Sequence, residues 1–285
     1  EISINLSTNG TLADKDFLEK MYSNFKGLAF SISIDGVGDR FNYIRHPGKW
    51  SEVQDNLDHF YELHQDPDVP VFIQITHTVT ALNVMYLPEF HTFFEERWPR
   101  WRIWNNLALF PTWIGPDVFP DEHKEEIISH IMSKEWKRRK IGEIEGIVNF
   151  MRDPQRNVQD PAYAPYFKNN YLDLLNDREL QWQAFKYQIA AGDLYRKESF
   201  METFPELYKI IRPSYNWEAE FGRVQNEGYT LDLAGEMYEN EFKDFIRDIR
   251  NTFEPQAGPS FDVGRTLFRL WRMNKYGKPP RLYRD

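Results

Sequence analysis

The chain has 285 residues, of which 41% are hydrophobic and 28% charged, as in ordinary folded domains. Its formal net charge of −9 argues against a broad surface for nucleic acid or for anionic membranes. There is no cysteine, which excludes disulfides, thiolate metal sites and a cysteine nucleophile. Neither a long apolar run nor a signal-peptide pattern occurs, so we predict a cytoplasmic protein without a membrane span.

The first half of the chain alternates strand patterns with helix patterns. Alternating or β-branched residues predict strands at 2–7, 28–34, 71–79 and 102–110. Apolar stripes at helical spacing predict helices at 17–25, 50–63, 83–98 and 121–138. Such alternation with short connections predicts an α/β fold, in which a parallel sheet has right-handed crossovers and helices outside it.

Strand patterns fade after about residue 140. Residues 152–168 contain three prolines and predict a connecting loop. Residues 170–211 predict helix, with breaks near Asp177 and Gly192, and a further helix is expected at about 231–253. We therefore divide the chain into a β/α part at 1–140, a helical region at 141–212 and an extension of unknown role at 213–285.

The segment after the second strand admits two interpretations. Asp35-Gly36 between alternating residues is a hairpin signal. Residues 37–40 do not alternate as a partner strand would, so we favour a strand, a long loop over 35–49 and then a helix. Ser33 and Asp35 would then share a direction at the carboxyl end of the strand. The alternative is a small residue tolerated in the core and a turn-capping aspartate.

In β/α folds the chemistry lies in the loops that follow the carboxyl ends of the strands. Those loops are predicted at 8–12, 35–49, 80–83 and 111–120. Arg45 lies in the second loop. It is either a surface ion-pair partner or, because its planar guanidinium can bind both oxygens, a ligand for a carboxylate.

Five short blocks lie along these strands and loops: Thr8-Asn9-Gly10-Thr11, Ser33-Ile34-Asp35-Gly36, Tyr43-Ile44-Arg45 with Trp50, Thr78-Val79-Thr80-Ala81-Leu82-Asn83 and Leu87-Pro88-Glu89-Phe90. Their order and spacing resemble successive blocks of radical SAM enzymes, in particular the branch with a C-terminal SPASM or shortened twitch domain. The resemblance covers about 1–140, as a partial parallel (β/α) barrel, and extends into 141–212 as a twitch-like helical region, through residues 193–207.

The resemblance implies a set of residues that bind S-adenosylmethionine. Ser33 would contact the ribose or the amino-acid part of the cofactor, and Arg45 would hold its carboxylate. Asp35 would face the cofactor or the substrate. Three further residues would line the same pocket: Thr8, Asn9 and Asn83. No catalytic residue and no metal ligand is assigned in this chain.

The departure from the family concerns its iron–sulfur cluster. The family binds a 4Fe-4S cluster through a C-x-x-x-C-x-x-C loop after the first strand of a six-stranded partial barrel, and this chain has no cysteine. The glycine-rich block of the second strand is also missing. We therefore expect strands three to six of such a barrel, in a fragment or a cluster-free member that is inactive alone. The parent activity would be reductive cleavage of S-adenosylmethionine and hydrogen abstraction, with a peptide or protein as a plausible substrate.

Two other functions remain open at the level of sequence. One is a non-catalytic binding or scaffold protein that uses the β/α layer and the basic, aromatic tail at 265–284. The other is an unrelated β/α enzyme that uses carboxylates. If the chain is instead a fragment that lacks two barrel strands, the strand at 2–7 becomes an open sheet edge, and we then also expect self-association through that edge.

Overall fold

The computed structural model describes residues 2–11, 15–69, 71–109, 112–154, 178–220 and 222. The chain divides into two compact units, Glu1–Leu107 with Ile128–Glu143, and Ala108–Ile127 with Ile144–Asp285. Four predictions lie wholly or largely outside the described residues: most of the connecting loop at 152–168, the helix break near Asp177, the helix at 231–253 and the tail at 265–284.

The described helices and strands follow the predicted alternation through the first unit. They are β1 (Ser3–Thr8), α1 (Lys15–Asn24), β2 (Gly27–Ser33), α2 (Gly38–Ile44), α3 (Trp50–Gln65), β3 (Val71–Val79), α4 (Leu87–Arg97) and β4 (Arg102–Leu107). Farther along the chain come α5 (Asp121–Met132), α6 (Arg138–Arg152), α7 (Arg178–Arg196), α8 (Phe200–Thr203) and α9 (Pro205–Ile211). The predicted α/β class is confirmed.

The four strands form one parallel sheet in the order β1-β2-β3-β4. Because β2 pairs in parallel with β1 and β3, Asp35-Gly36 is not a hairpin tip, and the interpretation as a strand end is confirmed. The order in space equals the order in the chain. With crossovers of one hand, that order places the connecting helices on one face of the sheet.

The helix-covered face holds the hydrophobic core of the first unit. Ile32 and Ile75, neighbours in the register of β2 and β3, are fully buried there. Phe30 packs on Phe60 of α3 with ring centroids 5.3 Å apart, and Phe94 of α4 is also buried. Burial of each such side chain contributes about 1.5–3 kcal/mol, so this layer is the main stabilising element of the unit.

The opposite face of the sheet, which we call the open face, is exposed or half-buried and mostly polar. Its side chains alternate with the core residues along each strand, as the pleat requires. Trp104 is 60% exposed on this face and lies opposite Thr76 in the register. Toward the carboxyl edge the open face includes Ser7, Ser31, Ser33, Gln74, Thr76, Thr78, Trp104 and Asn106, and Phe72, 47% exposed, lies on the same face nearer the start of β3.

Two helix predictions differ from the structure. The expected loop at 35–49 contains the short helix α2, which has no side-chain N-cap and is held by its buried Phe41 and Tyr43. The predicted helix at 121–138 ends at Met132, because Trp136 turns back and donates its indole N–H to the Ile131 carbonyl at 2.9 Å. In both cases a tertiary contact determines where the helix forms or ends, and the local sequence pattern does not show that contact.

The second unit is helical where it is described, and aromatic rings fill its core. Trp182 and Phe185 of α7 stack with centroids 5.3 Å apart. The carboxylate of Asp193 accepts hydrogen bonds from the backbone N–H of Phe200 and the indole of Trp217, at 2.9 and 3.1 Å. The helix continues through Gly192, so the break predicted there is wrong. None of the described helices has both the length and the apolar character needed to cross a membrane.

Gly10 gives a test of the turn after β1. Its φ is +74°, and an added Cβ would lie 3.2 Å from Ile32 Cγ2. Gly10→Ala should therefore lower the free energy of unfolding by about 1–2 kcal/mol, measured by urea denaturation. The control, Gly142→Ala inside α6, meets no atom within 4 Å and should raise stability by about 0.5–1 kcal/mol. Equal effects of the two changes would contradict the left-handed turn.

Candidate functional site

The candidate site lies at the carboxyl edge of the sheet, where all four parallel strands end. β1 ends at Thr8, β2 at Ser33 and β3 at Val79. Parallel strands bring these ends to one edge, which is where α/β sheets bind their ligands. The structure thus places the sequence-predicted residues of three separate blocks on the same edge.

Asp35 connects three elements of this edge. Its side chain is only 8% exposed. One carboxylate oxygen accepts the backbone N–H of Thr78, at 2.7 Å, and the other pairs with Nη2 of Arg45, at 2.5 Å. The carboxylate therefore ties the end of β2 to β3 and to the residue that follows α2. Its charge is balanced by the guanidinium, which is the condition for burying it.

Arg45 is placed by the short helix that precedes it. Its backbone N–H bonds the Phe41 carbonyl at 2.8 Å, and Asn42 of the same helix accepts the backbone N–H of Trp50 at 2.7 Å. The side chain of Arg45 is a third exposed, and its buried Nε has no hydrogen-bond partner among the described residues. The guanidinium thus retains donor capacity beyond the ion pair with Asp35.

Asn83 holds two strand ends together through its amide. Its Nδ2 donates to the carbonyls of Asp35 and Thr78, at 2.9 and 2.8 Å, and its Oδ1 accepts the N–H of Thr80 at 2.7 Å. The residue is 3% exposed. Both the nitrogen and the oxygen of its side-chain amide are hydrogen-bonded to backbone groups. Asn83 therefore positions the loops around the site.

Ser33 lies on the open face at the end of β2. In the register it lies opposite Thr76, which in turn lies opposite Trp104. The Trp104 indole is oriented by a 2.9 Å hydrogen bond to Oδ1 of Asn106. A row of two hydroxyl groups and one exposed aromatic ring therefore crosses the sheet near its carboxyl edge. Hydroxyls and an aromatic ring in one row can bind a ligand with polar groups and an apolar surface.

Thr8 and Asn9 form the turn at the end of β1. Thr8 Oγ1 accepts the N–H of Gly10 at 3.2 Å, and Asn9 Oδ1 accepts the N–H and the hydroxyl of Thr11 at 3.1 and 2.7 Å. These are local turn bonds of the kind that threonine and asparagine commonly make. The two residues lie at the same edge as Ser33, but their side-chain oxygens accept hydrogen bonds within the turn.

A small crevice opens beside Asp35 on the helical side of the sheet. It is lined by Arg40, His77 and Tyr86, among others, and by Glu89, which pairs with Arg40. His77 is fully buried, and its Nδ1 lies 2.9 Å from the carbonyl of Ile34. A carbonyl only accepts, so Nδ1 carries a proton, and Nε2 has no hydrogen-bond partner within the part of the chain that the structure describes. Burial lowers the pKa of His77, which keeps the ring neutral.

Sequence reasoning missed most of the open face. Gln74, Thr76 and Thr78 alternate with buried residues along β3, and this alternation was the available signal. The β-branched residues identify the strand without it. Arg40 and Glu89 are 49 positions apart, and no local pattern shows that they pair.

No family model, curated protein or solved structure matches this chain.

A second histidine beneath the sheet is strongly perturbed. Nε2 of His91 lies 3.2 Å from the amide nitrogen of Asn105, whose amide also donates to Glu143 at 2.7 Å. Desolvation lowers the pKa of His91 to about 3, and the positive charge of Lys140 contributes in the same direction. The ring is neutral in the folded protein at neutral pH, whereas in the unfolded chain it binds a proton near pH 6.5.

This difference predicts acid destabilisation. Below pH 6.5 the unfolded chain takes up a proton that His91 in the folded state does not bind until about pH 3, so stability falls as pH falls through this window. One such group reduces the free energy of unfolding by about 1.4 kcal/mol between pH 7.5 and 5.5. The free energy of unfolding, measured by urea denaturation at several pH values in this range, should depend less steeply on pH in His91→Gln than in the wild type. A pH dependence in His91→Gln equal to that of the wild type would refute the assignment.

Proposed function

We propose that this chain is the strand-three-to-six part of a radical SAM-type partial barrel, with S-adenosylmethionine bound at the carboxyl edge of its open face. The observation that carries the proposal is a parallel sheet in sequential order with one polar, uncovered face, at whose carboxyl edge Arg45 is held by Asp35. On this proposal the chain does not generate a radical by itself.

The sheet topology supports a barrel segment. A doubly wound sheet reverses its strand order and covers both faces with helices. Here the order is sequential, and the side chains of one face stay exposed or half-buried. In a barrel that face would turn inward and carry the ligand, while the helices stay outside.

The residues at this edge fit S-adenosylmethionine. A third of the Arg45 side chain is exposed, so its guanidinium can donate to the carboxylate of the cofactor. Ser33 and Thr76 offer hydroxyl groups on the open face for its ribose or amino group. Asp35 keeps the guanidinium of Arg45 in place, and Asn83 fixes the loop that carries Asp35. When bound, S-adenosylmethionine would supply an alkyl group carried by its sulfonium sulfur.

The residues do not fit the iron–sulfur cluster. The whole chain has no cysteine, and the described residues contain no group of three or more histidine, cysteine, aspartate or glutamate side chains that could hold a metal. Reductive cleavage and hydrogen abstraction from a peptide or protein substrate are therefore proposed only for a larger parent enzyme. The contribution of this chain is to bind and orient the cofactor.

Calorimetric titration of S-adenosylmethionine into the protein tests the binding proposal. Arg45→Lys keeps the charge but loses the planar fork and Nε, so it should weaken binding at least about tenfold, a loss of about 1.4 kcal/mol. The matched control is Arg97→Lys, because Arg97 forms a similar 2.5 Å ion pair with Asp58 in α3. Binding by the control should equal that of the wild type.

The titration also separates the rival functions. No binding by the wild type, or equal binding by Arg45→Lys, would remove the cofactor proposal. The two other candidates would then remain, a non-catalytic scaffold that needs a protein partner and an unrelated β/α enzyme that uses carboxylates.

Reconstitution with iron and sulfide tests the second half of the proposal. Because no thiolate is available, the reduced chain should show no 4Fe-4S signal by electron paramagnetic resonance. A cysteine-containing ferredoxin treated in parallel shows that reconstitution works. A cluster signal from this chain would overturn the claim that it is inactive alone.

A further inference from the structure

The beginning of α6 lies along β4. Lys140, in the first turn of α6, donates to the backbone carbonyl of Ile103, and Glu143 accepts the backbone N–H of Asn105 at 2.9 Å. Lys140 and Glu143 also pair with each other at 2.7 Å. These contacts place the first turn of α6 beside the residues with which β4 begins.

Four exposed arginines lie at this place, and we call them the cationic corner: Arg100, Arg102, Arg138 and Arg139. The first two lead into β4, and the other two open α6. Within the described part of the chain, none of the four side chains has an ion pair or a hydrogen bond. The neighbouring Lys137, by contrast, pairs with Glu95 at 3.1 Å. The corner therefore carries positive charge that the described carboxylates leave uncompensated.

These arginines are placed against the electrostatics of the helix that they open. The first turn of α6 contains Arg138, Arg139 and Lys140 and no acidic residue. The N-terminus of a helix carries a partial positive charge, so cations are unfavourable there and carboxylates are stabilising. Like charges at neighbouring positions also repel one another. A bound anion would relieve both kinds of repulsion.

The open face next to the corner adds an exposed aromatic ring and no negative charge. Arg102 and Trp104 are two residues apart on β4, so the pleat directs both side chains to this face. No residue on the described part of the open face is a carboxylate. Arginine and tryptophan are the residue types that most often dominate binding at protein interfaces. A ligand that suits this surface is therefore anionic and carries an apolar group.

We propose that the cationic corner and Trp104 bind an acidic peptide segment of a partner protein, in which glutamate or aspartate residues flank an aromatic residue. The planar guanidinium of arginine can bind both oxygens of a carboxylate, and the aromatic side chain of the peptide packs on the Trp104 ring. The proposal goes beyond the cofactor site. It holds whether or not S-adenosylmethionine binds, because none of these residues is assigned to the cofactor.

A short acidic peptide fits this surface better than a nucleic acid does. Exposed Glu96 and Glu135 lie in the same two segments of the chain as the arginines, so the positive surface is short. A nucleic acid carries a phosphate at every nucleotide, and outside the corner a chain with a net charge of −9 repels it. A few carboxylates around one ring need only the corner and Trp104.

Fluorescence anisotropy of the fluorescein-labelled peptide EEFEE, at low ionic strength and without S-adenosylmethionine, tests the charge part of the proposal. The wild type should bind the peptide. Arg138→Glu combined with Arg139→Glu should weaken binding at least about tenfold, because two attractive charges become repulsive. The matched control is Lys209→Glu combined with Arg212→Glu, which changes the net charge equally at two exposed residues of the second unit. The control should bind the peptide like the wild type.

The peptide EEGEE tests the role of the aromatic ring. The wild type should bind EEFEE about fivefold more tightly than EEGEE, since only the first peptide packs a ring on Trp104. In Trp104→Ser the two peptides should bind equally. Equal binding of the two peptides by the wild type would overturn this assignment of Trp104.

The stability of the Arg138→Glu, Arg139→Glu variant gives a second readout. Glutamates suit the N-terminus of α6, so the urea midpoint of the variant should rise while its peptide binding falls. A lower midpoint, or equal peptide binding by this variant and the control, would overturn the proposal. Tighter binding of oligothymidine than of EEFEE would overturn it in favour of a nucleic acid. Because no cofactor is added, these results stand apart from the outcome of the S-adenosylmethionine titration.

Discussion

The site at the carboxyl edge depends on one interaction, the buried carboxylate of Asp35. It accepts the N–H of Thr78 from the neighbouring strand and pairs with Arg45 from the loop after α2. A buried carboxylate is costly unless it is both paired and hydrogen-bonded, and here it is both. Asn83 bonds the carbonyl of the same aspartate, so the two loops at this edge are fixed to one point. Removing the carboxylate would leave the guanidinium and a strand N–H without their partner.

A second constraint comes from topology. Strands that are added in chain order, with crossovers of one hand, leave their helices on one face. The apolar side chains of β2 and β3 are buried under those helices, while polar residues such as Ser33 and Thr76 remain on the open face. The same order leaves two edges. The β4 edge is closed, because Lys140 donates to the carbonyl of Ile103 and Glu143 accepts the N–H of Asn105.

Much of the fold could be predicted because its signals are local. The β-branched run at 71–79 has the bounds of β3, since strand propensity and burial agree there. The failure of residues 37–40 to alternate correctly excluded a hairpin. The short helix α2 was missed because it has no capping signal and is held by burial of Phe41. Of the candidate site, the sequence indicated which residues gather at the edge, but not which of them bond to each other.

The sequence by itself therefore determined the α/β class, the direction of the strands and the absence of any thiolate ligand. These follow from residue type and from periodicities of two and 3.6, which are read within a few positions. Only the tertiary structure decided that Arg45 pairs with Asp35, that the Asn83 side chain bonds the backbone carbonyl of Asp35, and that the β4 edge is closed. Those facts join residues that are between ten and nearly fifty positions apart, and only packing brings such residues within hydrogen-bond distance.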